Sequence, residues 1–458
     1  MIHPALGKYC ERPSFWPACL VLAAASAGPS AVAQVIDLQF THPKCALQRY
    51  VLPVKDGTGA TLKSKPENVY CVSSDRDRPE NELLLQRFRN VFTPTDRKIL
   101  AVRVYAYSFS DGLLLNAICE AAVNGASVTM VVSAGSDGEQ DDASESPYAV
   151  RILENCRDRN SLGQRLRVGM YPASRSIPSF HPKLYMVEYD NRTVAMVVGS
   201  GHPGRGLTIN FDHWLFLDGQ ASSDMWKSAT CFANAVETIT LEKLGVQHAF
   251  PLYAACAIPK SPDQAIQSFY MPMERASFIS TLDAAVRNAH SIDIAMFSVG
   301  SPDMLAALQA SLRQGGQLRL LLDDDVSWAF RYPCTNCNAS PEWMRDWVYP
   351  LMEAGAEIRF METNHHCQAN VLHQKLMITK GAGKTTVLLG SSNFTKAALG
   401  TLQSSNMIGN IENNYLTSDA SLVQQAQRGF DEMWDRATVL DNLPAITDPV
   451  PGRTGGCL

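Results

Sequence analysis

The sequence predicts an α/β fold made of two copies of one lobe, each a mixed or parallel β-sheet flanked by helices, with the active residues gathered between the lobes. Three observations predict it. Strand–helix–strand patterns open both halves, matched landmarks keep a nearly constant spacing, and a histidine two residues before a lysine recurs in each half.

In the first half, Ile99–Ser108 is a β-rich run, followed by a helical run at Leu113–Ala122, then Gly125, then the apolar strand Val128–Ser133. In the second half the same order is Ile292–Ser298, Met304–Leu312, Gly315 and Leu318–Asp323. Strand, helix, glycine stop and strand is the βαβ pattern, which implies parallel neighbours with a helix on one face. Ser108 and Ser298 lie 190 residues apart, as do Gly125 and Gly315; His181 and His373 are 192 apart, and Gly199 and Gly390 are 191 apart. Unrelated units have no reason to hold that offset, so duplication is the economical reading.

The chain divides accordingly. Residues 1–33 are expected to be a signal peptide, 34–95 an N-terminal extension, 96–250 the first lobe, 251–275 a linker, 276–440 the second lobe and 441–458 a tail. The signal rests on Lys8 and Arg12, the apolar stretch Ala18–Ala27, and Ala31-Val32-Ala33 before Gln34. Export predicts a secreted or periplasmic protein. Of twelve cysteines, Cys10 and Cys19 would leave with the signal, and the even ten that remain read as disulfides. Cys334 and Cys337 form a lone CxxC, read as part of that disulfide framework rather than as half of a zinc site. They sit in an insertion, Val326–Trp347, which also carries Trp328 and Trp343 and reads equally as a tied surface loop or as a substrate loop.

The formal net charge is −5 and the isoelectric point about 6.1, which argues against a broad basic surface tracking a nucleic-acid backbone. Beyond the N-terminus no uninterrupted apolar run is long enough to cross a bilayer.

Chemistry concentrates where the two copies match best. His181-Pro-Lys183 opens an apolar run and is followed by Gly199-Ser200-Gly201-His202; His373-Gln-Lys375 is followed by Gly390-Ser391-Ser392-Asn393. Residues two apart on a strand share a face, so each half presents imidazole and ammonium together, with hydroxyl and amide (or a second imidazole) at the end of the next strand. That set suits a phosphodiester. Lysine, serine and asparagine donors orient and neutralise the non-bridging oxygens, most strongly as charge builds in the transition state. One imidazole attacks phosphorus while the other protonates the leaving oxygen and later activates water. Each half supplies one such histidine, so the chemistry needs both halves and no metal or other cofactor.

These motifs resemble the phospholipase D superfamily, whose HxKxxxxD motif followed by GSxN occurs twice in pseudo-dimeric members; the match spans most of residues 96–440. The stretch GSSNFTKAALG, Gly390–Gly400, is similar to the bacterial nuclease and tyrosyl-DNA phosphodiesterase branches. Gly206–Trp214 resembles the family's NxE segment and puts Asp212 at the glutamate position, with Ser404-Ser405-Asn406 as its counterpart in the second half, lacking the acid. The resemblance implies His181, Lys183, His373 and Lys375 as catalytic residues, and Ser200, His202, Ser391 and Asn393 as phosphate ligands. Glu188 and Asp212 are implied as supporting acids. The chain departs from the pattern at Glu188 and Lys380, which replace the motif aspartates, and at His202, which replaces asparagine.

Three weaker candidates are read as ordinary structure: Asp323-Asp324-Asp325 as a solvated turn, His365-His366-Cys367 as a polar loop rather than a metal cluster, and Arg205 as an added phosphate contact at most. The expected function is an exported phosphodiesterase acting on phospholipid head groups at a membrane surface, as a monomer whose single chain is its own pseudo-dimer. A nuclease of the same superfamily is the alternative, and a non-catalytic phosphate-binding protein the second alternative.

Overall fold

The computed structural model describes residues 35–42, 54–55, 61–62, 79–134, 145–171, 179–203, 210–259, 264–323, 344–361, 371–381, 383–399 and 409–439. The signal segment, Cys334, Cys337, most of the insertion, His365 to Cys367, Arg205, Asp324, Asp325, Ser404 to Asn406 and the tail lie outside the described residues.

Seven strands form the first sheet: β1 (Val35–Phe40), β2 (Ile99–Ala106), β3 (Ser127–Ser133), β4 (Leu166–Tyr171), β5 (Lys183–Tyr189), β6 (Thr193–Gly199) and β7 (His213–Gln220). Their order is β1-β7-β6-β5-β2-β3-β4. Eight form the second: β8 (Ile266–Met271), β9 (Ser291–Met296), β10 (Gln317–Asp323), β11 (Glu357–Met361), β12 (Lys375–Gly381), β13 (Lys384–Gly390), β14 (Glu412–Thr417) and β15 (Thr438–Val439). Their order is β8-β14-β13-β12-β9-β10-β11-β15, the first sheet repeated with one added edge strand. In both, the βαβ unit gives three parallel strands and the histidine–lysine strand pairs antiparallel with the first of them. Lys183 lies opposite Ala106 and Lys375 opposite Met296. The fold class read from the sequence is the one observed.

Local signals account for the repeated elements. Asp111 caps the helix Gly112–Val123 through the Leu114 amide at 2.8 Å, and Ser301 with Pro302 opens the matching helix Pro302–Arg313. Both helices are followed by a glycine in the left-handed region, Gly125 at φ 103° and Gly315 at φ 85°, a conformation that side chains with a Cβ rarely adopt.

The structure differs from the sequence reading at both flanks of the first lobe. β1, inside the expected extension, is an edge strand of the first sheet, paired antiparallel with β7. The expected linker holds the end of helix Val246–Cys256 and all of β8, which pairs with β14 at the equivalent edge of the second sheet. Edge strands separated from their sheet by long intervening sequence leave no local periodicity that ties them to it.

Helices Asp224–Thr240 and Ala420–Arg436 run between the two sheets. Phe232 and Val236 from the first, and Leu422, Phe430 and Trp434 from the second, share one buried core with Leu38, Leu184, Tyr270, Leu376 and Tyr415 from both lobes. Phe232 stacks on Tyr270 with ring centroids 4.7 Å apart. Gly429 lets the second helix lie directly on β1, since a Cβ there would meet the Phe40 ring at 2.5 Å. Separate outer cores back each sheet. The lobes are therefore joined by a continuous apolar layer, which holds the residues between them in fixed register. Disulfides join Cys119 to Cys156 and Cys231 to Cys256. Among the described residues no helix is long and apolar enough to cross a membrane.

Candidate active site

The two histidine motifs meet across the lobe junction through a reciprocal backbone exchange. The His181 amide donates to the Ile411 carbonyl at 3.0 Å and the Ile411 amide to the Ser179 carbonyl at 2.9 Å. Their counterparts are the His373 amide donating to the Phe211 carbonyl at 3.1 Å and the Phe211 amide to the Val371 carbonyl at 2.9 Å. Each lobe thus pairs the residue before its acid with the other lobe's histidine segment.

The consequence is that each imidazole is held by a carboxylate from the opposite lobe. His181 Nδ1 lies 3.0 and 3.1 Å from the two Glu412 oxygens, and His373 Nδ1 lies 3.1 Å from Asp212 Oδ1. A carboxylate on Nδ1 fixes the tautomer and turns Nε2 toward the reaction partner. Glu412 and Asp212 are both fully buried, and each accepts the serine hydroxyl of its own lobe, Ser391 Oγ and Ser200 Oγ, the latter at 2.6 Å. Aromatic edges buttress the rings from behind: Tyr107 to His181 at 5.5 Å and Phe297 to His373 at 5.4 Å.

The lysines are buried beside their histidines. Lys183 Nζ donates to the His181 carbonyl at 2.9 Å and Lys375 Nζ to the His373 carbonyl at 2.8 Å. Burial, followed by repulsion from Lys183, pushes the Lys375 ammonium well below its ordinary range. A bound phosphate anion supplies the opposite charge that restores it. Burial also lowers His181, with Glu412 acting against it, and holds the imidazole neutral. His202 fills the space between the pair, with ring centroids 6.1 Å from His181 and 5.5 Å from His373. Burial and the Lys183 charge push it well below the usual histidine value. Asn393, its counterpart, is half-buried and its Oδ1 has no hydrogen-bond partner among the described residues.

Three expectations are corrected, and the Lys380 departure is accounted for. Ser200 and Ser391 do not face a phosphate; each is fully buried, donates to the acid and accepts a backbone amide, from His213 and Asn413 respectively. Their hydroxyls are used in positioning the carboxylates. Glu188 does not support the site. Five residues beyond Lys183 on one strand, it lies about 16 Å along β5 and on the opposite face, opposite Ala101 and Val194. Lys380 sits at the matching place and approaches buried Asp293 at 3.5 Å, in a network with Arg319, so its reversed charge is answered there and never reaches the histidines. Finally, the second lobe does carry the acid: Asn410-Ile411-Glu412 mirrors Asn210-Phe211-Asp212.

Asp323 also departs from the reading as a solvated turn. It is fully buried and accepts the Leu372 amide at 2.9 Å, steadying the segment that delivers His373. Tyr107 and Phe297 were legible as partners through their shared offset of 190 residues, though nothing in one strand alone marks them as site residues.

His213 locks the two lobes together. Its Nε2 accepts the Gly390 amide at 3.2 Å, so Nδ1 carries the proton and donates to Gln374 Oε1 at 2.8 Å. Protonation would set two N–H groups against each other, and burial depresses the imidazole to about 4. The unfolded chain, titrating near 6.5, takes the proton first. Stability is therefore full above about pH 6.5 and falls as pH drops toward 4, by up to about 3 kcal/mol. Urea unfolding of the wild type and His213→Asn across pH 7.5 to 4.5 measures it. The variant, carrying the residue the second lobe uses at Asn413, is expected to lose that part of the slope; parallel pH curves would show His213 has no such role.

The description "Cardiolipin synthase, PLD-like domain" matches residues 278–434, which is the second lobe. Mitochondrial cardiolipin hydrolase of Xenopus laevis is 26% identical over 186 residues, 41% of this chain and 74% of that protein. The second lobe carries a phospholipase D-like domain. The class of chemistry is phosphoric diester hydrolysis. Phosphatidylserine synthase from Haemophilus influenzae Rd KW20 superposes with a TM-score of 0.56 at 11% identity, covering 81% of this chain and 89% of that one, and so shares the duplicated fold. The phospholipase D family member Nuc from Salmonella typhimurium is 22% identical with a TM-score of 0.28, covering 38% of this chain and 96% of that one. The fold comparison rests on the synthase.

Proposed function

We propose that this protein is an exported phospholipase D that hydrolyses phospholipid head-group phosphodiesters through a phosphohistidine, working as a monomer. The observation that carries the reading is the crossed pair His181–Glu412 and His373–Asp212, which aims two imidazoles from opposite lobes at one place. In the first step Nε2 of one histidine forms a bond to phosphorus, the bond to the leaving oxygen breaks, and that oxygen takes the proton from the other histidine. In the second, water gives its proton back to that histidine, attacks phosphorus and breaks the P–N bond. Lys183 and Lys375 bind the non-bridging oxygens, with Asn393 and His202 completing the cradle.

A relative named for hydrolysing cardiolipin, an acidic isoelectric point and the N-terminal signal pattern support a lipid substrate in an oxidising compartment outside the cytoplasm. The similarity of GSSNFTKAALG to nuclease branches supports the nucleic-acid alternative. The non-catalytic reading loses half its motive, because Lys380 is remote from the histidines. A panel of phosphatidylcholine, phosphatidylethanolamine, cardiolipin, single- and double-stranded DNA and p-nitrophenyl phosphodiesters at one salt concentration decides between them. Release of head group or phosphatidic acid well above any DNA cleavage is expected. DNA cleavage that dominates and falls steeply with salt would replace the lipid reading.

A further inference from the structure

The site holds a third imidazole, His202, beyond the two that take the nucleophilic and acid–base roles. His181, His202 and His373 each offer a ring nitrogen, and these three atoms lie within 4.8 Å of one another. His202 Nδ1 is buried with no hydrogen-bond partner among the described residues, which is costly for a polar atom unless something else binds there. Its two neighbours hold carboxylates on Nδ1, Glu412 on His181 and Asp212 on His373. A carboxylate on one ring nitrogen is the arrangement that orients metal-binding histidines through the other.

We propose that His181, His202 and His373 form a site for Zn2+ or a similar divalent transition ion, which closes the catalytic pocket reversibly. Three histidines and an open fourth position satisfy tetrahedral zinc, whose Zn–N bonds of about 2.0–2.1 Å ask each ring to move inward by less than about 1 Å. Imidazole suits Zn2+, Co2+, Ni2+ and Cu2+, whereas Mg2+ and Ca2+ prefer oxygen. The two lysines oppose a cation, and the two buried carboxylates offset them. An asparagine at position 202, as the superfamily pattern has it, would leave two imidazoles. The metal occupies the nitrogen lone pair that must attack phosphorus, so binding and turnover exclude each other; this last step rests on the phosphodiesterase reading above.

Untagged full-length protein titrated with Co2+ tests the site directly. One ion per chain is expected, with the visible absorption of tetrahedral cobalt, displaced by Zn2+ and removed by EDTA. His202→Asn and His202→Gln are expected to lose that spectrum while keeping the wild-type melting temperature. No tetrahedral spectrum in the wild type, or one unchanged in both folded variants, overturns the proposal. Thiolate-to-cobalt charge transfer would likewise overturn it by assigning the ion to cysteines. Stoichiometric Zn2+ is expected to abolish p-nitrophenyl phosphodiester turnover until EDTA is added. Undiminished turnover by the zinc-loaded protein sinks the inhibitory role. A cobalt spectrum in a protein inert toward every phosphodiester supports the metal site and counts against the hydrolase reading instead.

Discussion

His181→Ala and His373→Ala are each expected to lower phosphodiester turnover by about 10⁴-fold or more, and the double variant to be little worse than either single one. On the mechanism proposed above, the histidines act as a unit. One provides the bond to phosphorus, the other the proton without which the leaving oxygen stays attached, and neither can do the other's task from its own side of the junction. Their carbonyls each accept a lysine ammonium of the same lobe and their Nδ1 atoms each meet a carboxylate of the other, so each ring is set by contacts from both lobes. Rapid-quench measurement with a p-nitrophenyl phosphodiester, followed by recovery of acid-labile phosphohistidine, reads both steps. The variant lacking the nucleophile traps nothing; the variant lacking the acid accumulates adduct slowly. Full activity in either variant would place the chemistry elsewhere.

Replacing the acids is expected to have unequal effects. Glu412 uses both oxygens: His181 Nδ1 reaches each, Ser391 Oγ donates to Oε2 and Asn410 Nδ2 to Oε1 at 3.2 Å. In Glu412→Gln one oxygen becomes an NH2 that must face a donor, which disturbs the His181 tautomer. A loss in kcat of about 10³–10⁴-fold follows, by the same logic that makes an amide a poor replacement behind a catalytic imidazole. Asp212 places Ser200 and His373 on Oδ1 alone, and its buried Oδ2 has no hydrogen-bond partner among the described residues. An amide nitrogen takes the Oδ2 position at little cost, so Asp212→Asn is expected to lose only about 10–100-fold. Steady-state kinetics with KM nearly unchanged in both variants is the signature of a positioning role. Equal losses, or losses confined to KM, would contradict it.

Much of this site was legible because the chain states it twice. The offset of about 190 residues aligned the strands, the glycines that end the helices and the HxK pairs before any contact was known. Glu412 escaped for a reason rooted in the same offset. It lies 200 residues beyond Asp212, eight more than separate the two histidines, so the constant spacing pointed at Ser404 to Asn406 instead. The tripeptide Asn410-Ile411-Glu412 was the available signal. Spacing through a loop is free to drift, whereas spacing along a strand is not.

Ser200 and Ser391 were misassigned on a different ground. Period-two alternation says which face a side chain leaves from, but not whether the hydroxyl there meets solvent, substrate or a buried acid. Glu188 was carried into the site by a motif written in one dimension, in which five residues look close; along a strand they span about 16 Å.

From the sequence alone came the α/β class, the duplication and the two histidine–lysine pairs that meet in the candidate site, because these depend on local periodicity and repetition, which a chain carries wherever it folds. Tertiary structure alone decided that each histidine answers to an acid in the other lobe, that His202 completes a trio of imidazoles, and that β1 and β8 close equivalent edges. Those are contacts between segments far apart in the chain, selected by the packing of a shared core, and no local pattern records the partner.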